Sequence, residues 1–163
     1  MSNLKLIIMS YHRYFKYLYL HRKGVMVRCF RKGLYWQGLT HDITKLTPRY
    51  FHIYAIWDNH PHIGINSIES EAKDKWRKKY RRLSDHHHNT SRHHWHKYSE
   101  GEMPVKYIEE MLSDWESVSE IKQTSLLEWY LEHYADITLG PASRRYVDYR
   151  LGLISKYAYD KEK

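Results

Sequence analysis

A single cysteine, Cys29, stands in 163 residues, so no internal disulfide can form and nothing points to an oxidising compartment. Glycine and proline are scarce as well, at 7 and 4, which disfavours the many turns of an all-β fold. Long apolar runs are missing. The nearest, Leu6-Ile7-Ile8-Met9, is soon interrupted by His12, Arg13 and Lys16, too short for a membrane span and unlike a signal peptide. The expectation is a soluble chain with no membrane partner, placed in the cytoplasm.

Aromatic residues, positive charge and histidine are abundant instead. Aromatics make up 15%, mostly 16 Tyr and 6 Trp. The formal charge of +8 suits a polyanionic partner, though charge alone does not choose among nucleotide, nucleic acid and membrane surface. Thirteen histidines are present, and six fall between His86 and His96. The length suits one domain, residues 1–163, with a real core.

The periodicity predicts six or seven helices in a single all-α domain. The first runs from Leu4 to about Arg31, with Leu4, Ile8, Tyr11, Phe15, Leu18 and Val25 as its apolar stripe and His21 on or beside it. Gly33 and Gly38 precede a helix containing His41 and Asp42, with Thr40 as its cap. Thr47-Pro48 opens the next, ending near Asn59-His60-Pro61, where histidines are expected at the surface. A charged helix follows from Ser67 through at least Leu83. Its inner stripe is Ala72, Trp76, Tyr80 and Leu83, and at helical spacing the stripe extends to His87 and His94. Further helices are expected from Met103-Pro104 to Val118, from Leu126 to Tyr134, and from Ala142 to about Tyr157.

One stretch concentrates the chemistry: Leu39-Thr40-His41-Asp42-Ile43-Thr44-Lys45-Leu46. In a helix, Asp42 would share the apolar face with Leu39, Ile43 and Leu46, and His41 would neighbour Lys45 four residues on. A carboxylate on a buried face needs a cation, and a metal ion is one. Asp114 is the second carboxylate on such a face, in the stripe Tyr107, Met111, Asp114 and Val118.

The order His21, then His41-Asp42, then the distant Asp114 resembles the HD superfamily of metal-dependent phosphohydrolases. Lys45 strengthens the likeness to members with a lysine at that spacing. More narrowly, several segments resemble a small HD-like family of phage and bacteria. They are Leu20-His21-Arg22-Lys23, Gly38 to Lys45, Asn89 to Trp95, Met103-Pro104, Glu110-Met111-Leu112-Ser113-Asp114-Trp115 and Glu128-Trp129-Tyr130. The resemblance runs from about residue 11 to 150. It implies an HD-like helical bundle in which His21, His41, Asp42 and Asp114 ligate one divalent metal. A second ion would be held by His87 with His93, His94 or both. Among His86, His87 and His88 the helical stripe favours His87.

Mixed imidazole and carboxylate ligands suit Mn, Fe, Co, Ni, Mg or Zn, as one or two ions. The expected function is hydrolysis of a phosphate ester or nucleotide by a metal-activated water, in the bacterial cytoplasm or, for a phage-encoded chain, the host's. Asp42 and Asp114 would hold the ion and orient the water, and Lys45 would contact a phosphate oxygen. Arg144 and Arg145 are further candidates for phosphate contact. Two other classes compete. One is a non-catalytic nucleic-acid-binding protein using the basic face from Lys73 to Arg82, and the other a regulatory protein that binds metal without turnover. No residue specifies the base, the sugar or the oligomeric state.

Overall fold

The computed structural model describes residues 3–99 and 101–160. The fold is all-α: 73% helical, with eight α-helices and no strand among the described residues. In chain order they are α1 (Asn3–Arg31), α2 (Tyr35–Thr40), α3 (Pro48–Asn59), α4 (Glu71–Thr90), α5 (Val105–Lys122), α6 (Leu126–Glu132), α7 (Pro141–Arg150) and α8 (Lys156–Asp160). Short 3₁₀ turns cover Ile43–Leu46 and Trp95–Tyr98. Among the described residues, no helix is long and apolar enough to cross a membrane.

The chain divides into two compact units, Met1–Lys23 with Thr40–His87, and Gly24–Leu39 with His88–Lys163. The first unit is built on aromatic contacts. Tyr14, Leu18, Ile53, Tyr54, Ala55 and Leu83 are buried, and Tyr11, Tyr17, Phe51, Trp76 and Tyr80 pack around them. Tyr14 meets Phe51 edge-on at 5.1 Å, and Tyr54 meets Tyr80 at 5.0 Å, the arrangement that ring quadrupoles favour.

The second unit packs α5 against the later helices through Ile108, Met111, Leu112, Trp115, Tyr130, Ile137 and Val147. Gly24 lies so close to Ser117 that a side chain there would collide with its hydroxyl. Glu102 secures the start of α7: its carboxylate accepts from the Ala142 and Ser143 N–H groups and from the Ser143 hydroxyl.

Several expected elements differ. On α1 the buried face carries Leu6, Ser10, Tyr14, Leu18, His21, Val25 and Cys29, whereas Leu4, Ile8 and Phe15 are exposed. Residues 41–46 form no α-helix, because Asp42 adopts a left-handed conformation (φ 52°, ψ 22°) that breaks it. The charged helix begins at Glu71, capped by the Ser70 hydroxyl on the Lys73 N–H, and runs on to Thr90. His94 lies beyond that helix. Residues 142–157 are not one helix, since Gly152 takes φ 78° and closes α7. His60 is buried rather than at the surface, its Nδ1 accepting from the His62 N–H.

Met111 has no exposed surface, so Met111→Ala should lower the unfolding free energy by about 2–5 kcal/mol, as read by chemical denaturation. The Glu102 carboxyl is held below its ordinary value by the Ser143 hydroxyl first, against partial desolvation, with the two backbone N–H groups helping. A depressed folded value stabilises the fold above the unfolded pKa, about 4.3, and that contribution fades as pH falls through the folded value. Glu102→Gln should therefore lower Tm at neutral pH, and calorimetry should show the gap from the parent narrowing below about pH 4.

Candidate metal centre

In the first unit four segments converge on the Asp42 carboxylate. His21 comes from α1, its ring stacked on Tyr17 at 5.9 Å. His41 and Asp42 occupy the turn after α2, where the Arg22 side chain donates to the His41 carbonyl at 2.9 Å. Asp is one of the few side chains that tolerate the left-handed region, so this residue type suits the turn as well as the chemistry. The turn continues into Ile43–Leu46, where the Lys45 N–H donates to the Asp42 carbonyl at 2.9 Å. Pro48, first residue of α3, then sets the next helix going. His87 comes from the last turns of α4 and lies 3.3 Å, Nδ1 to Oγ1, from Thr44.

The two carboxylate oxygens have different neighbours. Oδ2 lies 3.5 Å from His21 Nε2, 3.7 Å from His41 Nε2 and 2.7 Å from Lys45 Nζ. Oδ1 lies 2.9 Å from His87 Nε2. His21 Nε2 and His41 Nε2 are themselves 3.3 Å apart. Two imidazole nitrogens and a carboxylate oxygen thus form a triangle with edges of 3.3, 3.5 and 3.7 Å. Donors about 2.0–2.2 Å from a shared ion are separated by roughly 3 to 3.6 Å, so the triangle has the size of one face of a coordination shell.

Asp42 is only 3% exposed, and burial opposes its ionisation. Lys45 foremost, then His41, His21 and His87, outweigh that penalty and hold the carboxyl well below the usual range. The group is therefore an anion at neutral pH. Burial drives the nearby Tyr14 phenol the other way, far above its ordinary value, and keeps it protonated.

The remaining candidates lie in the second unit. His93 Nδ1 is 3.2 Å from Glu110 Oε1, and the His93 and His94 rings are 4.3 Å apart. Asp114 is buried on α5, one turn beyond Glu110. Arg144 donates to the Tyr130 hydroxyl and the Ile137 carbonyl and lies 4.2 Å over the Tyr134 ring. Arg145 donates to the Ala158 carbonyl. Both arginines thus hold the end of the chain together. Of the histidine triplet, His87 meets Asp42, His86 bonds the Tyr50 hydroxyl at 2.6 Å, and His88 stacks on His96.

Buried histidine and carboxylate groups of this chain could hold a metal ion, and their members are His21, His41, Asp42, His87, His93, His94, Glu110 and Asp114. Glu110 and Thr44 were not anticipated. Glu110 had a signal in its four-residue spacing from Asp114, which puts both on one side of α5. Thr44 had none.

Residues 10–150 match the sequence profile of a family of unknown function, DUF5662. The chain belongs to that family. No curated protein and no solved structure matches it. For this DUF5662 member the site's own chemistry therefore carries the functional argument.

A divalent ion that binds the folded centre stabilises it by mass action, by about 2.7 kcal/mol at a hundredfold excess over Kd. Adding Mn²⁺ or Zn²⁺ to EDTA-treated protein should raise Tm, and Asp42→Ala should abolish the rise and the bound metal. Calorimetry with elemental analysis checks both.

Proposed function

We propose that this protein is a metal-dependent phosphohydrolase of the HD type, hydrolysing a phosphate ester with a nucleotide as the favoured substrate class. The observation that carries the reading is the donor triangle of His21, His41 and Asp42 with the Lys45 ammonium 2.7 Å from its carboxylate corner. An ion site with an adjacent fixed cation suits a substrate that brings several negative oxygens. The net charge of +8 favours the same class of ligand.

The residues divide the work by chemistry. His21 and His41 would offer neutral nitrogen ligands and Asp42 an anionic oxygen. By the HD resemblance, Asp114 would be a further ligand, and His87 with His93, His94 or both would hold a second ion. The metal would supply Lewis acidity toward water and toward the phosphoryl oxygens. Lys45 would meet a non-bridging phosphate oxygen as a point charge placed where negative charge develops. Asp42, tied to Lys45, keeps that ammonium in place beside the donor triangle. His87, against the other carboxylate oxygen, fixes the rotation of the Asp42 side chain.

The test is release of phosphate or nucleoside from a generic phosphodiester and a nucleotide panel with added Mn²⁺. Lys45→Ala should retain the metal and lose turnover by about a hundredfold, the size expected for one electrostatic contact to the transition state. Asp42→Ala and Asp114→Ala should lose both metal and turnover while staying helical. Full activity in either aspartate variant would remove that residue from the mechanism. Bound metal with no hydrolysis of any ester would leave a metal-binding regulator.

A further inference from the structure

The first unit holds a second concave feature that shares no residue with the Asp42 centre. A cleft of about 670 Å³ is bordered by Tyr11 of α1, Arg49 and His52 of α3, and Lys79 and Arg82 of α4. Ile53 and Leu83 give it an apolar floor. Its size falls within the roughly 300–1,000 Å³ typical of small-molecule sites. No carboxylate lines it.

Two acids near the start of α4 are paired with other cations. Glu69 is taken by Arg77 at 2.6 Å and Lys73 at 3.0 Å, and Asp74 by Arg77 at 2.7 Å. Arg77 and Lys73 therefore take Glu69 and Asp74, and Glu71, the other acid of the first turn of α4, does not border the cleft. Lys79 and Arg82, further along, are left over. Among the described residues Arg49, Lys79 and Arg82 form no ion pair, and Lys79 instead lies 4.5 Å over the Trp76 ring. Three uncompensated cations around an apolar floor concentrate positive potential, because low-dielectric walls focus field lines into a cleft. Two of the three are arginines, whose planar forks match phosphate oxygens in pairs.

Tyr11 and His52 add a neutral side to the cleft. The Tyr11 hydroxyl lies 2.6 Å from His52 Nδ1. With the phenol donating, the imidazole carries its hydrogen on Nε2 and remains a neutral donor. Burial, and then Lys79, disfavour its protonated form. Flat rings beside cations suit a ligand with both phosphate and an organic ring.

We propose that this cleft binds a small phosphate-bearing ligand of the nucleotide or pyrophosphate class, at a site separate from the metal centre. Of the other cations of α4, Lys75, Lys78 and Arg81 are exposed but do not border the cleft. The observed concavity thus favours a bounded small molecule over a nucleic-acid strand tracking the whole helix.

The test is calorimetric titration of the EDTA-treated full chain with pyrophosphate and with ATP at fixed ionic strength. One site per chain is expected without metal, and Arg49→Ser/Arg82→Ser should weaken it by about tenfold or more. Metal content should be unchanged in that variant. Both positions are exposed, and a melting curve checks the fold; Lys79→Ser, altering the third cation alone, should weaken binding in the same direction. Undiminished affinity in these variants would overturn the proposal. So would binding that appears only when metal is restored, since the ligand would then belong to the Asp42 centre. Preference for a single-stranded oligonucleotide over pyrophosphate, with a steep salt slope, would make the cleft part of a nucleic-acid track and equally overturn it. Because binding is read without metal or turnover, failure of the phosphohydrolase reading would leave this result standing.

Discussion

A carboxylate almost wholly withdrawn from water is the constraint around which the first unit is arranged. Burying an isolated anion is prohibitive, and removing one partner from a buried pair leaves an uncompensated charge. Asp42 meets that demand with one ammonium and three imidazoles, drawn from α1, the turn after α2, the following 3₁₀ turn and α4. Segments far apart in sequence are thereby tied to a single side chain. The compensation is only partly local: Lys45 is three residues away, while His21 and His87 arrive from 21 and 45 positions off. Correct placement of α1 and α4 is therefore a condition for the anion to be tolerated at all.

Around that point the first unit relies on rings more than on aliphatic side chains. Tyr14, Tyr17, Tyr54 and Tyr80 are large, have few rotatable bonds and bring polar ends into a mostly apolar interior. Tyr17 stacks on His21, and Tyr54 lies under the Lys45 ammonium at 5.6 Å. The aromatic core and the polar centre are continuous. The second unit combines aliphatic side chains, Met111, Leu112, Ile108 and Val147 at near-zero exposure, with its own rings, Trp115 meeting Trp95, Trp129 and Tyr130.

Much of this was readable from residue order, and the failures have physical causes. α5 was legible to within a few residues because its apolar positions recur at helical spacing, although burial from Ile108 to Trp115 is continuous and takes in Glu109, Glu110 and Ser113 as well. On α1 the expected face held from Leu18 through His21 to Val25 but not before it, where Leu4, Ile8 and Phe15 are exposed. Leu4, Leu6, Ile7 and Ile8 supply apolar side chains on several sides, and what packs opposite them decides which are covered. His41, Asp42 and Lys45 were visible as a group, but their geometry was misread. The Lys45 contact runs to Asp42 across three residues through a left-handed turn, not along a helix face from His41. Backbone sign at one aspartate leaves no trace in hydrophobic periodicity. The basic residues of α4 read as a uniform face, and only the folded chain shows that some are spent on acids while others remain.

The left-handed turn at Asp42 bears on how this position could change over time. Glycine would relax the backbone there yet carry no charge, and glutamate would keep the charge but resist the turn. Only aspartate meets both demands, and it does so under two penalties, roughly 1 kcal/mol or more of backbone strain and the desolvation of an anion. Variation that favoured robustness alone would drift away from such a residue. The position is narrow in sequence space for reasons of shape and of chemistry at once, so a lineage that gave up the centre's chemistry would be free to lose the turn as well.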